Sequence, residues 1–225
     1  MNDDLQGISF SNGRILDREK IRSRHLYHFC KRITDMVLSA CGLVILSPVL
    51  LAVAGAIKNE EKGGTVIYRQ RRVGKNGESF SIYKFRSMCM DADKKLEELK
   101  QLNEVDGAMF KLHNDPRVTN IGKLLRRTSL DELPQLYNVL KGDMSLVGPR
   151  PPLPNEVTQY SEYDKQRLLV VPGCTGLWQV SARNEVGFHE MVELDLEYIE
   201  KANIWYDLKL ILKTIKIMIV PNGAY

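Results

Sequence analysis

Two adjacent carboxylates follow a pair of arginines near the middle of the chain. Asp131 and Glu132 lie in the stretch SLDELPQ, just after Arg126 and Arg127. Paired acids beside basic side chains can act on phosphate groups as a nucleophile, a general base or a magnesium ligand. The same stretch also fits a structural interpretation, because Ser129 followed three residues later by Glu132 has the pattern of a capping box at a helix start. The stretch by itself leaves both interpretations open.

A second candidate is an arginine in a stiff loop. The segment GDMSLVGPRPPLP is dense in glycine and proline and contains Arg150. A guanidinium that the backbone presents rigidly is suited to two-pronged recognition of phosphate. A salt bridge within the same loop is the structural alternative, and the loop alone does not decide between the two.

The composition is that of a single domain with a sizeable core and a mild positive charge. The chain has 225 residues and a formal net charge of +4. Basic residues cluster on both sides of the most apolar segment, and they are Arg22, Arg24, Lys31, Arg32, Arg69, Arg71 and Arg72. Because no nucleic-acid-binding motif accompanies them, we expect membrane surfaces or phosphates as partners, and no nucleic acid.

Cysteine and histidine usage argues against a zinc site and a disulfide framework. The 4 cysteines form no CxxC pair, and the 4 histidines do not complete a metal-ligand spacing. This usage is typical of a reducing, cytosolic compartment.

The most apolar segment, residues 36–57, carries no charge. At ~1.5 Å per residue, a straight helix of this length could cross the ~30 Å apolar layer of a bilayer. Ser47-Pro48 near its centre predicts a bend, because proline lacks an N–H and crowds the carbonyl of Val44. Basic residues flank the segment on both sides, so the positive-inside rule assigns no orientation to a helix that crosses the membrane. A kinked spanning helix and a re-entrant helix both remain open, and a buried core helix is a third option.

The elements that must position the candidate residues are mainly helical. Asn76-Gly77 predicts a β-hairpin within residues 65–88, with Lys84 and Arg86 at the end of its second strand. Helices are predicted over residues 91–103, 120–127 and 188–201. A further helix is predicted from SLDE to about Leu140, where Lys141-Gly142 ends it. A packed loop is predicted around Trp178. The fold class expected is therefore α+β, mainly helical with a short hairpin.

The C-terminal stretch WYDLKLILKTIKIMIV predicts a basic amphipathic helix. Lys209, Lys213 and Lys216 share one helical face. The apolar residues expected elsewhere on that helix are Leu208, Ile211, Leu212, Ile215 and Ile219. Such a helix suits the membrane interface, and packing on the protein core is the alternative.

The longest motifs resemble a known family. The run RRTSLDELPQLYNVLKGDMSLVGPRP, with YKFRSM before it and PGCTGLWQVSARNE after it, resembles the bacterial sugar transferases, the monotopic polyprenyl-phosphate phosphoglycosyl transferases. The resemblance covers residues 31–220. Because no larger N-terminal membrane region precedes the motifs, the chain looks like the small form of that family.

The resemblance implies a membrane topology and a division of the chain. A helix broken at Ser47 and Pro48 enters the bacterial inner membrane and turns back, so that the catalytic domain faces the cytoplasm. The expected parts are a polar tail at 1–30, a re-entrant helix at 31–58, a catalytic domain at 59–203, and an interfacial helix with a tail at 204–225. The sequence leaves open whether the chain forms a homo-oligomer.

The resemblance also implies a reaction. A sugar 1-phosphate passes from a UDP-sugar to undecaprenyl phosphate with the help of Mg²⁺, and UMP is released. Asp131 matches the family's attacking aspartate, which forms a covalent phosphosugar intermediate, and is the expected magnesium ligand. Glu132 matches a base or organising acid. We expect Arg126 and the positive end of a following helix to keep Asp131 ionised.

The remaining family matches concern phosphate binding and the sugar. Arg126, Arg150, Lys84 and Arg86 match positions that bind phosphate or line the site. Trp178 resembles members that transfer plain hexose phosphates, which favours glucose or galactose over an N-acetylated sugar. The product would start a cell-surface polysaccharide or glycoconjugate, and the sequence leaves open whether that is a capsule, exopolysaccharide, O-antigen or glycoprotein. Ala182 stands where the family commonly has glycine. The competing hypothesis is that the chain is a non-catalytic scaffold of the same pathway.

Overall fold

The computed structural model describes residues 14–99, 112, 115–181 and 187–219. It is mainly helical with two small two-stranded sheets, which confirms the α+β class. The helices are α1 Arg18–Arg22, α2 His25–Ile45, α3 Ser47–Glu60, α4 Ala92–Leu99, α5 Asn120–Thr128, α6 Gln135–Lys141, α7 Pro154–Val157, α8 Leu177–Ser181, α9 Phe188–Lys201 and α10 Ile204–Ile219. The strands are β1 Ile67–Val73, β2 Ser79–Phe85, β3 Ser145–Val147 and β4 Gly173–Thr175.

The apolar segment forms a broken helix. The axes of α2 and α3 are bent by 60° at Leu46, next to the predicted break. Pro48 has no N–H to donate to the carbonyl of Val44, and the hydroxyl of Ser47 donates to that carbonyl instead, at 2.7 Å. In the part of the chain that the structure describes, no single helix is long and apolar enough to cross a membrane, whereas α2 and α3 together have the length and composition, as a bent pair.

One face of α2 is bound to the protein and another is apolar and exposed. Asp35 accepts a hydrogen bond from the amide of Leu146 at 3.0 Å, and Lys31 forms an ion pair with Asp207 of α10 at 2.9 Å. The exposed apolar side chains of α2 and α3 include Leu26, Phe29, Ile33, Val37, Val44, Ile45 and Leu51. Within this chain the pair is therefore not a buried core helix.

The predicted hairpin is confirmed. β1 and β2 are antiparallel, with Ile67 opposite Phe85 and Val73 opposite Ser79. The turn needs positive φ at Asn76 (55°) and Gly77 (85°), which asparagine and glycine tolerate.

The second sheet was not predicted. β3 and β4 pair in parallel, with Ser145 opposite Gly173 and Val147 opposite Thr175. Glycine is required at the contact, because a Cβ on Gly173 would lie 2.0 Å from the amide nitrogen of Gly148. This sheet brings the loop that contains Arg150 against the segment PGCTG.

The main core forms around α9, whose bounds match the prediction. Its buried residues include Val192, Leu194, Leu196 and Ile199, and Leu210 of α10 packs against them. Helix α5 also matches its prediction to within one residue at its C-terminal end. The predicted continuation of α4 to Asn103 lies outside the described residues, as does Ala182. Trp178 lies on the short helix α8 rather than in a loop and packs against the main core.

Helix α10 both packs on the core and presents an exposed face. Asp207 and Leu210 are buried, and Asp207 also accepts a hydrogen bond from Tyr198 at 2.7 Å. The exposed face forms a shallow groove lined by Trp205, Leu208, Lys209, Leu212, Lys213 and Lys216. The lysines thus share their face with Leu208 and Leu212, contrary to the predicted separation, because the buried residues fix the rotation of the helix.

Candidate active site

The two carboxylates lie on a short turn between α5 and α6. Ser129 has a left-handed backbone (φ 56°), a single 3-10 turn covers Leu130–Glu132, and α6 follows with Pro134 as its N-cap. Within this described turn the Ser129 side chain makes no capping hydrogen bond, so the predicted capping box is wrong. The helix does stop as predicted, at Gly142, which has a φ of 97°.

Glu132 is bound to Lys84 of β2 instead of to backbone amides. Lys84 Nζ lies 2.6 Å from Glu132 Oε1, and solvent reaches both side chains. The partial removal of this side chain from water would by itself raise the pKa of Glu132. The ion pair with Lys84 and the charges of Arg150 and Arg72 outweigh burial, so the pKa of Glu132 lies below its usual value. Glu132 is therefore anionic at neutral pH.

Asp131 has a different electrostatic environment from its neighbour. Burial, followed by repulsion from Glu132, raises the pKa of Asp131 to about 6, and Lys84 and Arg126 oppose this rise. Among the described lysines and arginines, none forms an ion pair with its carboxylate. Asp131 lies in the single 3-10 turn and α6 begins only at Gln135, so its carboxylate is not in the first turn of the α-helix that was expected to follow it. The side chain is mostly ionised at neutral pH, and no cationic side chain of the described ranges contacts it directly.

Arg126 is placed by the close packing of α5 against the end of the hairpin. Its Nε donates to the hydroxyl of Ser87 at 3.0 Å. The helix can approach because of Gly122, since a Cβ there would lie 2.0 Å from the carbonyl oxygen of Ser87. The amide of Thr119 donates to that same carbonyl at 3.1 Å. The guanidinium is therefore fixed near the acidic turn, where its charge acts on Asp131.

In the loop around Arg150, every carbonyl from residue 149 to residue 152 accepts a hydrogen bond. The donors are the amide of Gly173 to Pro149 at 2.9 Å, Arg167 Nη2 to Arg150 at 3.3 Å, Arg72 Nη1 to Pro151 at 3.1 Å, and the amide of Val73 to Pro152 at 2.9 Å. Each donor comes from a different residue outside the loop. The three prolines of the loop have no N–H to donate, so the hydrogen bonds that its carbonyls accept hold the loop in place.

The Arg150 side chain forms the salt bridge of the structural alternative and also lies near the acidic turn, whereas its role in phosphate recognition stays a prediction. It forms an ion pair with Glu156 at 3.3 Å, which is the structural alternative. Its charge also acts on Glu132, so the guanidinium lies on the side of the acidic turn. Glu156 in turn accepts the amide of Leu153 at 2.8 Å, which fixes the pair.

Arg72 belongs to this site and was not singled out from the sequence. It is 8% exposed, and burial together with the charge of Arg150 lowers the pKa of Arg72 to about 10. Its charge also acts on Glu132. The strand pattern contained the signal, because Arg72 and Lys84 occupy the same face of the hairpin by period-two alternation.

The remaining candidate, Arg86, contacts Thr65 and Tyr68 rather than the acidic turn. Its Nε donates to the carbonyl of Thr65 at 2.8 Å, and its guanidinium lies 5.8 Å from the centre of the Tyr68 ring. The structure thus brings together Asp131, Glu132, Lys84, Arg126 and Arg150, and places the described contacts of Arg86 at the base of the hairpin.

The site offers few groups that could bind a metal ion. In the described ranges, no three histidine, cysteine, aspartate or glutamate side chains are close enough to form a metal cluster. Mg²⁺ commonly keeps several waters and uses one or two carboxylates together with substrate phosphates. The Asp131 carboxylate forms no ion pair with any residue that the structure describes, whereas Glu132 Oε1 contacts Lys84. This donor set fits an ion that is shared with a substrate diphosphate.

Comparison with known proteins assigns the chain to a family. The family model described as "Bacterial sugar transferase" matches residues 26–221. The chain belongs to the bacterial sugar transferase family. The match includes the broken helix, the hairpin, the acidic turn and the Arg150 loop.

Three relatives illustrate the similarity. The galactosyl transferase CpsE of Streptococcus agalactiae is 47% identical over 89% of this chain and 44% of its own length. The exopolysaccharide production protein ExoY of Rhizobium meliloti is 41% identical over 87% of this chain and 88% of its own. The UDP-glucose:undecaprenyl-phosphate glucose-1-phosphate transferase of Escherichia coli is 41% identical over 87% of this chain and 41% of its own. The chain thus spans about half the length of two of these relatives and most of the third.

Proposed function

We propose that this sugar transferase moves a sugar 1-phosphate from a UDP-sugar to undecaprenyl phosphate and releases UMP. The Escherichia coli relative carries that donor, that acceptor and that group in its name. The observation that carries the proposal is the state of Asp131. It is an ionised carboxylate without a direct cationic contact among the described residues, beside a second acid that Lys84 neutralises.

The proposed chemistry has two displacements at one phosphorus. In the first, a carboxylate oxygen of Asp131 bonds to the sugar-bearing phosphorus, and the bond from that phosphorus to the bridging oxygen breaks, so that UMP leaves. In the second, an oxygen of undecaprenyl phosphate bonds to the same phosphorus and expels the carboxylate of Asp131. The product is a sugar linked to the lipid through a diphosphate.

The basic residues have the arrangement that such displacements need. The charges of Arg126, Arg150, Arg72 and Lys84 act on the acidic pair, and these side chains can balance charge on a diphosphate and align it with Asp131. A bound Mg²⁺ would supply further charge neutralisation of the phosphate oxygens, with Asp131 as its ligand from the protein. Glu132 fixes Lys84 within this group of charges.

The same proposal includes a place at the cytoplasmic face of the inner membrane. The exposed apolar side chains of α2 and α3 need an apolar surrounding, and the bend at Pro48 suits a helix that enters and leaves the bilayer on one side. On α10, Trp205 is 81% exposed beside three lysines, which suits the headgroup layer. Both surfaces would bring the site to a lipid substrate.

Glucose or galactose is the proposed sugar. The names of two relatives specify galactosyl and glucose 1-phosphate transfer. The third is named for exopolysaccharide production, which supports a role at the start of a surface polysaccharide. An N-acetylated sugar and a non-catalytic scaffold are the competing outcomes.

Release of UMP tests the proposal. The full chain in nanodiscs is mixed with Mg²⁺, undecaprenyl phosphate and a panel of UDP-sugars, beside Asp131→Asn and the exposed control Asp91→Asn. We expect release with one hexose, abolished by Asp131→Asn or by a chelator and unchanged in the control. Equal release by wild type and Asp131→Asn would exclude the aspartyl mechanism. Folded protein that releases no UMP, while Asp131→Asn still supports polysaccharide synthesis in cells, would favour the scaffold.

A further inference from the structure

Two charged side chains, one from each arm of the broken helix, contact the outer ends of the segment that carries the acidic pair. That segment covers residues 120–141 and consists of α5, the turn with Asp131 and Glu132, and α6. Glu60 is the last residue of α3, and Arg32 lies in α2. Neither belongs to the group of charges described above.

Glu60 binds the start of α5. Its Oε1 accepts the amide of Asn120 at 2.9 Å, and its Oε2 accepts the amide of Ile121 at 3.2 Å. The hydroxyl of Thr119 accepts the next amide, that of Gly122, at 3.0 Å. The first amides of a helix have no partner within it, and a negative charge there is favourable. The end of α3 and the start of α5 are thus joined directly.

Arg32 binds the end of α6. Its Nη1 donates to the carbonyl of Val139 at 2.6 Å and its Nη2 to that of Leu140 at 2.7 Å. The last carbonyls of a helix have no partner within it, and a positive charge there is favourable. Gly142 ends the helix with a φ of 97°, and a Cβ built there would be in ordinary contact with Arg32 Nη2, at 3.4 Å.

The groups between these two attachments are the ones that must be placed accurately. Arg126 lies in the last turn of α5, and the acidic pair follows on the turn. We infer that Glu60 and Arg32 are positioning residues, which fix both ends of segment 120–141 and so set the place of Arg126 relative to Asp131 and Glu132. The geometry of the broken helix is thereby transmitted to the site. The inference rests on the proposed function.

Kinetics of the full chain in nanodiscs test the inference. Glu60→Ala and Arg32→Met should each lower kcat by roughly ten- to a hundredfold, because small misplacements of reacting groups are costly, with little change in KM for the UDP-sugar. Glu60→Gln keeps an acceptor oxygen at the same reach and should recover most of the loss. Lys62→Ala and Arg22→Ala, at exposed neighbours, are the matched controls.

Amide hydrogen exchange provides a readout that does not need activity. The amides of Glu132 and Leu133 donate to the carbonyls of Ser129 and Leu130, each at 3.3 Å. In Glu60→Ala and Arg32→Met we expect faster exchange at these two amides and unchanged exchange in α9. Unchanged exchange in the turn, a fall in kcat that Glu60→Gln does not recover, or a loss of protection throughout the chain would each overturn the positioning role. A wild type that releases no UMP would overturn the proposed function but leave the exchange test intact.

Discussion

Lys84 Nζ lies 2.6 Å from Glu132 Oε1 and joins the hairpin to the acidic turn across 48 residues of sequence. This contact separates the roles of two neighbouring acids. Glu132 is anionic, and Lys84 balances its charge. Asp131 has no ion-pair partner among the described residues, and its pKa is raised by burial and by Glu132. One acid therefore organises the charges, and the other is available to react.

Replacing Lys84 tests this division. The charge of Lys84 lowers the pKa of Asp131, so Lys84→Met should raise that pKa further. Under the proposed mechanism, UMP release needs the ionised carboxylate of Asp131. In the wild type it should therefore fall as the pH drops below about 6, with the fall moved to higher pH in Lys84→Met. The measurement is kcat/KM against pH at constant Mg²⁺. Lys84→Arg keeps the charge and is the control, and an identical acid limb in Lys84→Met would contradict the prediction.

Arg72 should matter through the loop that it fastens. Arg72→Met removes the donor to the Pro151 carbonyl and a buried charge beside Arg150. Hydrogen bonds to charged groups contribute about 1.5–3 kcal/mol, so we expect kcat/KM for the UDP-sugar to fall roughly ten- to a hundredfold. Arg71→Met, on the exposed face of the same strand, is the control and should have kinetics close to wild type. Equal effects of the two variants would assign the loss to net charge alone.

Local signals predicted much of the fold. The hairpin follows from Asn76-Gly77, whose backbone has the expected positive φ, and the break follows from the missing N–H of Pro48. Helix α9 has the predicted bounds, 188–201, because its apolar residues recur with helical spacing. In each case the residues that determine the element lie within it.

The rest depends on contacts between distant segments. Ser129 is left-handed, which non-glycine residues seldom adopt, and the serine–glutamate spacing pointed to a cap instead. The β3–β4 pair has only three residues per strand and joins positions far apart in the chain. The charge assigned to Glu132 depends on Lys84, which is a neighbour only after folding. The acidic pair was found from the sequence, but the environments that distinguish its two members were not.

The close packing of α5 on the hairpin predicts a sensitive glycine. Gly122→Ala would place a Cβ 2.0 Å from the carbonyl oxygen of Ser87, so the helix must move. Overpacking of this kind costs about 1–3 kcal/mol or more, and the movement displaces Arg126. Thermal unfolding in detergent should show a lower Tm, together with reduced UMP release. Gly55→Ala is the matched control, because nothing lies within 4 Å of a Cβ built there. A Tm equal to that of the control would show that α5 adapts without strain.

The bend between α2 and α3 predicts the effect of restoring one hydrogen bond. Pro48→Ala supplies an amide that can donate to the carbonyl of Val44, in place of the Ser47 hydroxyl, and removes a residue that disfavours a helix interior by about 3 kcal/mol. We expect a straighter helix, because the cause of the bend is gone.

Cysteine labelling from each side of the membrane measures this change. In a chain with its native cysteines replaced, Arg18→Cys and Lys62→Cys flank the broken helix. Under the proposed re-entrant topology both react from the cytoplasmic side only. With Pro48→Ala added, a straightened helix that spans the bilayer should move one of them to the other side in part of the population. Labelling of the two cysteines from opposite sides without Pro48→Ala would instead show that the bent pair crosses the membrane. The proposed approach of the site to a lipid substrate would then depend on α10 rather than on a re-entrant helix.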